Sequence, residues 1–239
     1  MRFPLIFFVF CVAVILGFLL LGRSLWYPWY LSAKGDKTVV SVIEELSPDV
    51  RQRLIILFQT ADMTYPPKEV AFLAIKDLKV LELWAKDNSV WKHITTYDIQ
   101  AASGRLGPKL KEGDGQVPEG IYQIEGLNPN SAYHLSMKIN YPNDFDLKWA
   151  KVEGRSRPGS DIFIHGEAVS VGCLAMGNEA IEELFFLADA VGIPNATVII
   201  APTDPRISSL IKSEYQRNWH KELDQIIESA FSEIVSGAR

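Results

Sequence analysis

The chemistry of this chain centres on one cysteine and one histidine. Cys173 stands eight positions after His165, and the other cysteine, Cys11, lies inside an apolar N-terminal run. A cysteine thiolate is a strong nucleophile, and a histidine within reach can accept the thiol proton as a general base. The pair therefore predicts covalent acyl-transfer chemistry, although an inert buried cysteine and a hydrogen-bonded histidine would show the same spacing.

Two elements are expected to position this pair. Residues 162–164 are β-branched and aromatic, as in a buried strand, so His165 falls at a strand end. Apolar residues recur at helical spacing after Asn178, which is a candidate N-cap for a helix that reaches Ala190. We therefore expect Cys173 to lie just before a helix, whose dipole would lower the pKa of the thiol.

Neighbouring residues suggest further roles. Gly172 permits close approach of a substrate, and the backbone N–H groups of Gly172 and Cys173 are expected to stabilise an oxyanion. A long turn rich in glycine, proline and charge covers residues 103–124, and its spacing fits neither a P-loop nor a dinucleotide fingerprint. Arg105 and Lys109 in this turn are candidates to hold a substrate carboxylate, and a purely structural loop is the alternative.

No metal site, cofactor or nucleic-acid partner is expected. No second histidine or carboxylate stands at metal-ligand spacing from His165 or Cys173. His134, on a strand predicted over residues 132–139, is expected to be structural. The formal net charge of -5 gives no support for nucleic-acid binding, which usually needs a basic surface.

The N-terminus predicts a membrane segment. Residues 3–22 carry no charge, and at about 1.5 Å per residue they can cross a hydrocarbon core of about 30 Å. Arg2 precedes the run and no small-residue cleavage motif follows it, so an uncleaved signal anchor is favoured over a cleaved signal peptide. The body of the chain would then lie outside the cytoplasm, attached to the cytoplasmic membrane. A single free thiol in such an oxidising compartment favours a cysteine kept for chemistry.

The remaining patterns divide the chain into four segments and predict a mainly β (α+β) domain with peripheral helices. One or two helices are expected over residues 39–46 and 50–59, and Ser47-Pro48-Asp49 between these stretches is a natural helix start. A hairpin turns at residues 76–79, strands cover 91–99 and 196–201, a turn-rich loop covers 140–146, and an amphipathic helix covers 213–235. The segments are a signal anchor (1–24), a juxtamembrane helical region (25–65), a main domain (66–205) and the C-terminal amphipathic helix (206–239).

Three stretches, in this order, resemble the L,D-transpeptidase catalytic domain (YkuD) family and, within it, the YafK-like branch. They are the loop over residues 107–122, the Asn-Tyr-Pro-Asn loop over 140–143, and the core over 165–173. The resemblance runs from about residue 66 to 202. It implies a β-sandwich-like catalytic domain, no cofactor, and an exported enzyme that acts on peptidoglycan stem peptides in cell-wall remodelling.

The resemblance also implies roles for single residues. Cys173 would be the nucleophile and His165 the general base. Gly172 and Cys173 would form the oxyanion hole, and Ser170 would support the loop that carries them.

The chain departs from the common family pattern Ser-His-Gly-Cys at three points. Val171 replaces the second histidine, Ala175 replaces an arginine, and the loop after His165 is short. The expected function is an L,D-transpeptidase that forms an acyl-enzyme with diaminopimelate-containing stem peptides. A hydrolase of the same scaffold is the alternative, either an L,D-carboxypeptidase or an amidase that releases diaminopimelate-linked protein such as a wall-linked lipoprotein. A non-catalytic wall-binding module is a third.

Overall fold

The computed structural model describes residues 35–210 and 217–237, together with scattered positions between residues 7 and 25. The helices are α1 (Val39–Thr60), α2 (Asp144–Val152), α3 (Asn178–Val191) and α4 (His220–Ser236), with a 3-10 turn at Ile193–Asn195. The strands are β1 (Glu69–Ile75), β2 (Val80–Asp87), β3 (Val90–Asp98), β4 (Ala101–Ala102), β5 (Gly120–Asn128), β6 (Ser136–Ile139), β7 (Phe163–His165), β8 (Leu174–Ala175) and β9 (Ala196–Ala201).

The membrane segment predicted over residues 3–22 lies in large part outside the described residues. In the part of the chain that the structure describes, no helix is both long and apolar enough to cross a bilayer.

The strands form one curled sheet in the order β3-β2-β1-β9-β5-β6-β7-β8-β4. The hairpin predicted at residues 76–79 is confirmed, because β1 and β2 pair antiparallel up to Ile75 and Val80. β5 belongs to both halves of the sheet: residues 120–123 pair with β9, and residues 124–128 pair with β6. The predicted sandwich of sheets is therefore one continuous hydrogen-bonded series in which β5 joins the two halves.

β1 explains why the sheet needs helices on both faces. Phe72 and Ala74 belong to a core shared with α1 and α3, whereas Leu73 and Ile75 belong to a second core covered by α4. The sequence of a strand buried on both faces is a continuous apolar run, without the alternation of apolar and polar residues that a half-exposed strand shows. The predicted amphipathic C-terminal helix is confirmed over α4, which begins at His220, and residues 213–216 of the prediction lie outside the described residues.

The fold is mixed α+β, which confirms the α+β part of the prediction, but α3 lies within the core and corrects the expectation that the domain is mainly β with peripheral helices. Leu184, Phe185 and Leu187 have no exposed surface, and burying a large apolar side chain contributes about 1.5–3 kcal/mol. Arg53 of α1 donates from Nε to Glu183 of α3 at 2.6 Å. α1, α3 and the sheet are thereby held together on the side of the first core.

Of the one or two helices expected over residues 39–59, the structure forms one, because α1 continues through Pro48. Proline removes one backbone hydrogen bond from a helix interior and normally kinks or ends it. Here apolar residues on both sides of Pro48 pack into the same core, which outweighs the lost bond. These residues are Val42, Val50, Leu54 and Phe58.

The loop predicted over residues 140–146 contains the start of α2. Asn143 caps the helix: its side chain accepts from the Asp146 N–H, and the Asp146 carboxylate accepts from the Asn143 N–H, both at 3.1 Å. The strand predicted over residues 132–139 is shorter than expected, since β6 begins at Ser136. His134 lies before it and pairs with Glu182 of α3 at 2.8 Å, in accord with a structural role.

The long loop between β4 and β5 is held by a buried ion pair. Lys76 Nζ donates to Glu119 Oε1 at 2.9 Å and to the carbonyl oxygens of Gly107 and Val117 at 3.0 Å. The side chains of Lys76 and Glu119 are only 5% and 3% exposed. The loop is therefore a fixed structure, and it contacts the cysteine loop through Ser103.

Candidate active site

A cleft of about 330 Å³ opens beside β7 and the loop that follows it. It is lined by Asn128, Ser131, Ala132, Tyr133, Ser136, Asp161, Phe163, His165, Val169, Ser170, Val171 and Cys173. The cleft thus brings together three of the predicted site residues, which are Cys173, His165 and Ser170. The other three, Gly172, Arg105 and Lys109, do not line it.

Cys173 is held by hydrogen bonds on its side chain and its backbone. The thiol donates a long bond of 3.9 Å to the carbonyl oxygen of Asp161. The Cys173 N–H donates to Ser170 Oγ at 3.0 Å, and the Ser170 hydroxyl donates to the Cys173 carbonyl at 2.6 Å. Ser170 therefore closes a tight turn around the cysteine, which fits the supporting role that the family resemblance implies.

Gly172 faces away from the cleft. Its φ of +88° favours glycine, and its N–H donates to Ser103 Oγ at 2.6 Å. The Ser103 hydroxyl in turn donates to the carbonyl of Gly115 at 2.7 Å. Because Gly172 is bonded to Ser103 and the Cys173 N–H to Ser170, neither amide of the predicted oxyanion hole is free in this structure.

His165 is buried at the end of β7, and its hydrogen bond identifies the ring tautomer. Nδ1 lies 2.6 Å from the carbonyl oxygen of Gly166. A carbonyl oxygen only accepts, so we assign the proton to Nδ1, which leaves Nε2 as the basic nitrogen. The ring of Tyr133 packs against the imidazole, with centroids 4.8 Å apart. His165 is therefore oriented by one backbone bond and one aromatic contact.

The environment keeps both groups of the pair neutral. Burial raises the pKa of the Cys173 thiol, while the Phe163 N–H and the charge of Lys109 oppose it only in part. Burial also lowers the pKa of His165. At neutral pH the cleft accordingly holds a thiol and a neutral imidazole, the forms that a general-base mechanism requires.

The prediction of a lowered thiol pKa is wrong, because no helix begins beside the cysteine. α3 begins at Asn178 with Gly177 as its N-cap, and the two-residue strand β8 separates Cys173 from it. The dipole effect fades within the first turn of a helix. Asn178 is therefore not the N-cap, and its side chain instead accepts the N–H of Glu167 at 2.9 Å.

The two candidate carboxylate-binding residues have other places in the structure. Lys109 is buried, and its ammonium donates to Asp114 at 2.5 Å and to the carbonyl of Lys111 at 3.0 Å. Arg105 is exposed, and its backbone N–H donates to the side chain of Gln116. Lys109 stabilises the long loop, and its charge acts on the Cys173 thiol, but neither Lys109 nor Arg105 lines the cleft.

Sequence reasoning did not identify several lining residues as parts of the site. Asp161, Phe163 and Tyr133 line the cleft, and Ser103 supports it from behind. Asp161 begins the stretch that contains the cysteine, and this proximity was the available signal for it. Within the described residues, no group of three or more His, Cys, Asp and Glu side chains could hold a metal ion.

The family model of the L,D-transpeptidase catalytic domain, YkuD, matches residues 69–200. YafK of Escherichia coli (strain K12), whose name assigns it to the L,D-transpeptidases, is 33% identical over 154 residues, which are 61% of this chain and 60% of that protein. This chain therefore spans about 60% of the length of the curated relatives it matches.

Two solved structures are similar at lower identity. The helical cell shape determining protein Pgp2 of Campylobacter jejuni is 20% identical with a TM-score of 0.47, covering 71% of each chain. Bd1075 of Bdellovibrio bacteriovorus is 23% identical with a TM-score of 0.42, covering 71% of this chain and 57% of that one.

Proposed function

Since this chain belongs to the L,D-transpeptidase catalytic domain (YkuD) family, we propose that it catalyses acyl transfer on diaminopimelate-containing peptidoglycan stem peptides, with Cys173 as the nucleophile. The observation that carries the proposal is the position of Cys173 and His165 in one cleft inside the matched region. The tautomer of His165 supports it, because Nε2 is free to accept a proton. Cell-wall remodelling is the process in which such a reaction would serve.

The proposed reaction has two stages. Nε2 of His165 takes the thiol proton as Sγ of Cys173 bonds to the carbonyl carbon of diaminopimelate. The C–N bond to the group beyond then breaks, and the departing amine takes the proton from His165, which leaves a thioester. An acceptor amine or water next attacks the thioester, gives up a proton to Nε2, and releases the product. That proton returns to the sulfur.

Stabilisation of the oxyanion requires a change from the resting geometry. A tetrahedral oxyanion would compete with Ser170 Oγ for the Cys173 N–H, since this amide is bonded to Ser170 at rest. A charged acceptor makes a stronger hydrogen bond than a neutral hydroxyl, so the exchange is favoured when negative charge develops. Gly172 would need to break its bond to Ser103 before it could contribute.

A hydrolase of the same scaffold is the second candidate. Val171 stands where the common motif has a histidine, and the residue is 81% exposed at the cleft. An exposed residue at this point supports access of water to a thioester. On this alternative, the products are trimmed peptides or released diaminopimelate-linked protein rather than cross-links.

Mass spectrometry of the products tests the proposal. The purified chain and its Cys173→Ala variant are incubated with sacculi and with purified tetrapeptide muropeptides. Cross-linked dimers that are absent with the variant would support a transpeptidase. Trimmed peptides or released protein without dimers would select the hydrolase, and binding to sacculi with no product that depends on the thiol would leave a wall-binding module.

The location belongs to the proposal as well. We place the catalytic domain in the periplasm or cell envelope, attached to the cytoplasmic membrane through residues 3–22. The uncharged apolar run and the position of the stem peptides outside the cytoplasm support this placement. A protease added to intact spheroplasts should digest the domain, and protection equal to that of a cytoplasmic marker would contradict it.

A further inference from the structure

We propose that the carboxylate of Asp161 binds a free ammonium group on the acyl-donor residue, so that the cleft selects donors whose side-chain amine is unacylated. The inference rests on the proposed function and names the chemical group of the substrate that the same cleft recognises. It reverses the charge expected at this site, because Arg105 and Lys109 were predicted to hold a carboxylate.

The first support is the charge of the cleft. Among the described residues that line it, Asp161 is the one ionised side chain, since His165 is neutral and the others are apolar or uncharged. Hydrogen bonds from Ser160 and Lys138 hold the pKa of Asp161 below its usual range. A cleft with one fixed carboxylate attracts a cation and disfavours an anion.

The second support is the distance from Asp161 to the reacting atom. The carbonyl oxygen of Asp161 lies 3.9 Å from Sγ of Cys173. The carboxylate is therefore within one side chain's reach of the attacked carbonyl. A donor residue that carries an amine a few bonds from its own carbonyl can place that amine at Asp161 while its carbonyl meets the sulfur.

The third support is that the present partner of Asp161 can be exchanged. Lys138 Nζ lies 3.3 Å from Asp161 and 3.4 Å from Glu125, and the Asp161 side chain is 65% exposed. Exposed ion pairs of this kind are weak. A ligand ammonium could replace Lys138 at Asp161, because Lys138 would keep Glu125 as its partner.

The ammonium is assigned to the donor rather than to the acceptor amine. An amine must lose its proton before it attacks a thioester, and a neighbouring carboxylate raises the pKa of an amine and keeps it protonated. Asp161 would therefore hinder an acceptor bound to it. A donor side chain that takes no part in the reaction carries no such penalty.

A two-by-two binding experiment tests the proposal. The full chain in detergent carries Cys173→Ala to prevent turnover, with or without Asp161→Asn, and is titrated with a diaminopimelate tetrapeptide that is either free or N-acetylated on the side-chain amine. We expect acetylation to weaken binding about fivefold when Asp161 is present and less than about twofold after Asp161→Asn. Asparagine tolerates the positive φ of +57° at this position, so the variant should keep the fold.

Lys138→Met should change the affinity for the free-amine peptide in the direction opposite to Asp161→Asn. Removal of the competing cation should tighten binding of the free-amine peptide by about twofold and leave the acetylated peptide unchanged. Equal weakening of both peptides by Asp161→Asn would show a structural role and overturn the proposal. Equal losses on acetylation in both proteins, or no binding of either peptide, would overturn it too.

Turnover by the Cys173-bearing chain separates this inference from the proposed function. Equal turnover of free and acetylated donors would keep the proposed function and refute the inference. Absence of turnover together with the predicted binding preference would refute the proposed function and keep the ammonium site. A further outcome is that Asp161→Asn alters transfer to an added amine while donor binding and donor hydrolysis stay unchanged. In that case the ammonium would belong to the acceptor, and the proposal would fail.

Discussion

Replacement of Lys76 by methionine is expected to destabilise the fold strongly. Lys76 Nζ donates to the Glu119 carboxylate and to the carbonyls of Gly107 and Val117. Methionine fills a similar volume but donates to none of them. Glu119 would keep only the N–H of Gly107, at 2.7 Å, among the donors described for it. The variant therefore leaves a buried charge without its counterion.

The loss in the free energy of unfolding can be worked out from these lost hydrogen-bond and ion-pair partners. Removing one member of a buried ion pair costs about 3–5 kcal/mol, and each buried carbonyl left without a donor costs about 1–3 kcal/mol. The effects share the same site and do not add, so we expect the free energy of unfolding to fall by about 3–5 kcal/mol. Adding Glu119→Gln should restore about 2 kcal/mol, since it removes the buried charge but keeps an acceptor for Gly107.

Urea unfolding followed by tryptophan fluorescence measures these changes. Lys79→Met is the matched control, because Lys79 is an exposed lysine in the adjacent turn and should change stability by less than about 0.5 kcal/mol. A loss below about 1 kcal/mol in Lys76→Met would refute the reasoning. A double variant less stable than the single one would refute it as well.

Three further predictions concern the site and its surroundings. The pH midpoint for alkylation of Cys173 by iodoacetamide should lie above about 8.5, and Asp161→Asn should move it down by removing a negative charge that raises the thiol pKa. Burial raises the pKa of Asp146 to about 6, so the folded state binds this proton more tightly than the unfolded state does. The melting temperature should therefore fall as the pH rises through about 4 to 6, and it should fall less in Asp146→Asn. Gly172→Ala, at φ +88°, and Gly113→Ala, at φ +72° with open space around it, should each lose about 1–2 kcal/mol in urea unfolding, but only Gly172→Ala should slow turnover.

Each of these predictions has an outcome that contradicts it. An alkylation midpoint below that of a free cysteine would mean that the thiol is activated in the resting protein. An unchanged pH dependence of melting in Asp146→Asn would assign the dependence to another group. Equal effects of Gly172→Ala and Gly113→Ala on turnover would show that the bond from Gly172 to Ser103 does not matter for the cysteine loop.

The strands could be predicted from the sequence where the local residue pattern agrees with burial in the folded protein. The apolar run of β1, the charged turn at residues 76–79 and β2 form the predicted hairpin. α1 shows the opposite case: Pro48 is a sound local signal for a helix boundary, but the core contacts on both sides of it keep the helix whole. Propensity is a weak prior that packing of this kind overrides.

Residue type and spacing pointed to Cys173 and His165, which the structure places in one cleft. The hydrogen bonds around them could not be predicted in the same way. The bond from Gly172 to Ser103 joins residues 69 positions apart, and such a contact leaves no periodic signal in the sequence. Lys109 looked available for a ligand because its partner Asp114 becomes evident only when the loop is folded.

The central claim is that Cys173 forms a thioester with the donor peptide and that His165 moves the proton. Intact-protein mass spectrometry after brief mixing with a diaminopimelate tetrapeptide tests it most directly. We predict a mass increase equal to the acyl tripeptide on the native chain, no increase on Cys173→Ala, and a much slower increase on His165→Ala. Neutral hydroxylamine should remove the adduct wherever it forms, because it cleaves thioesters. Turnover by Cys173→Ala, or an adduct that forms equally fast without His165, would contradict the account.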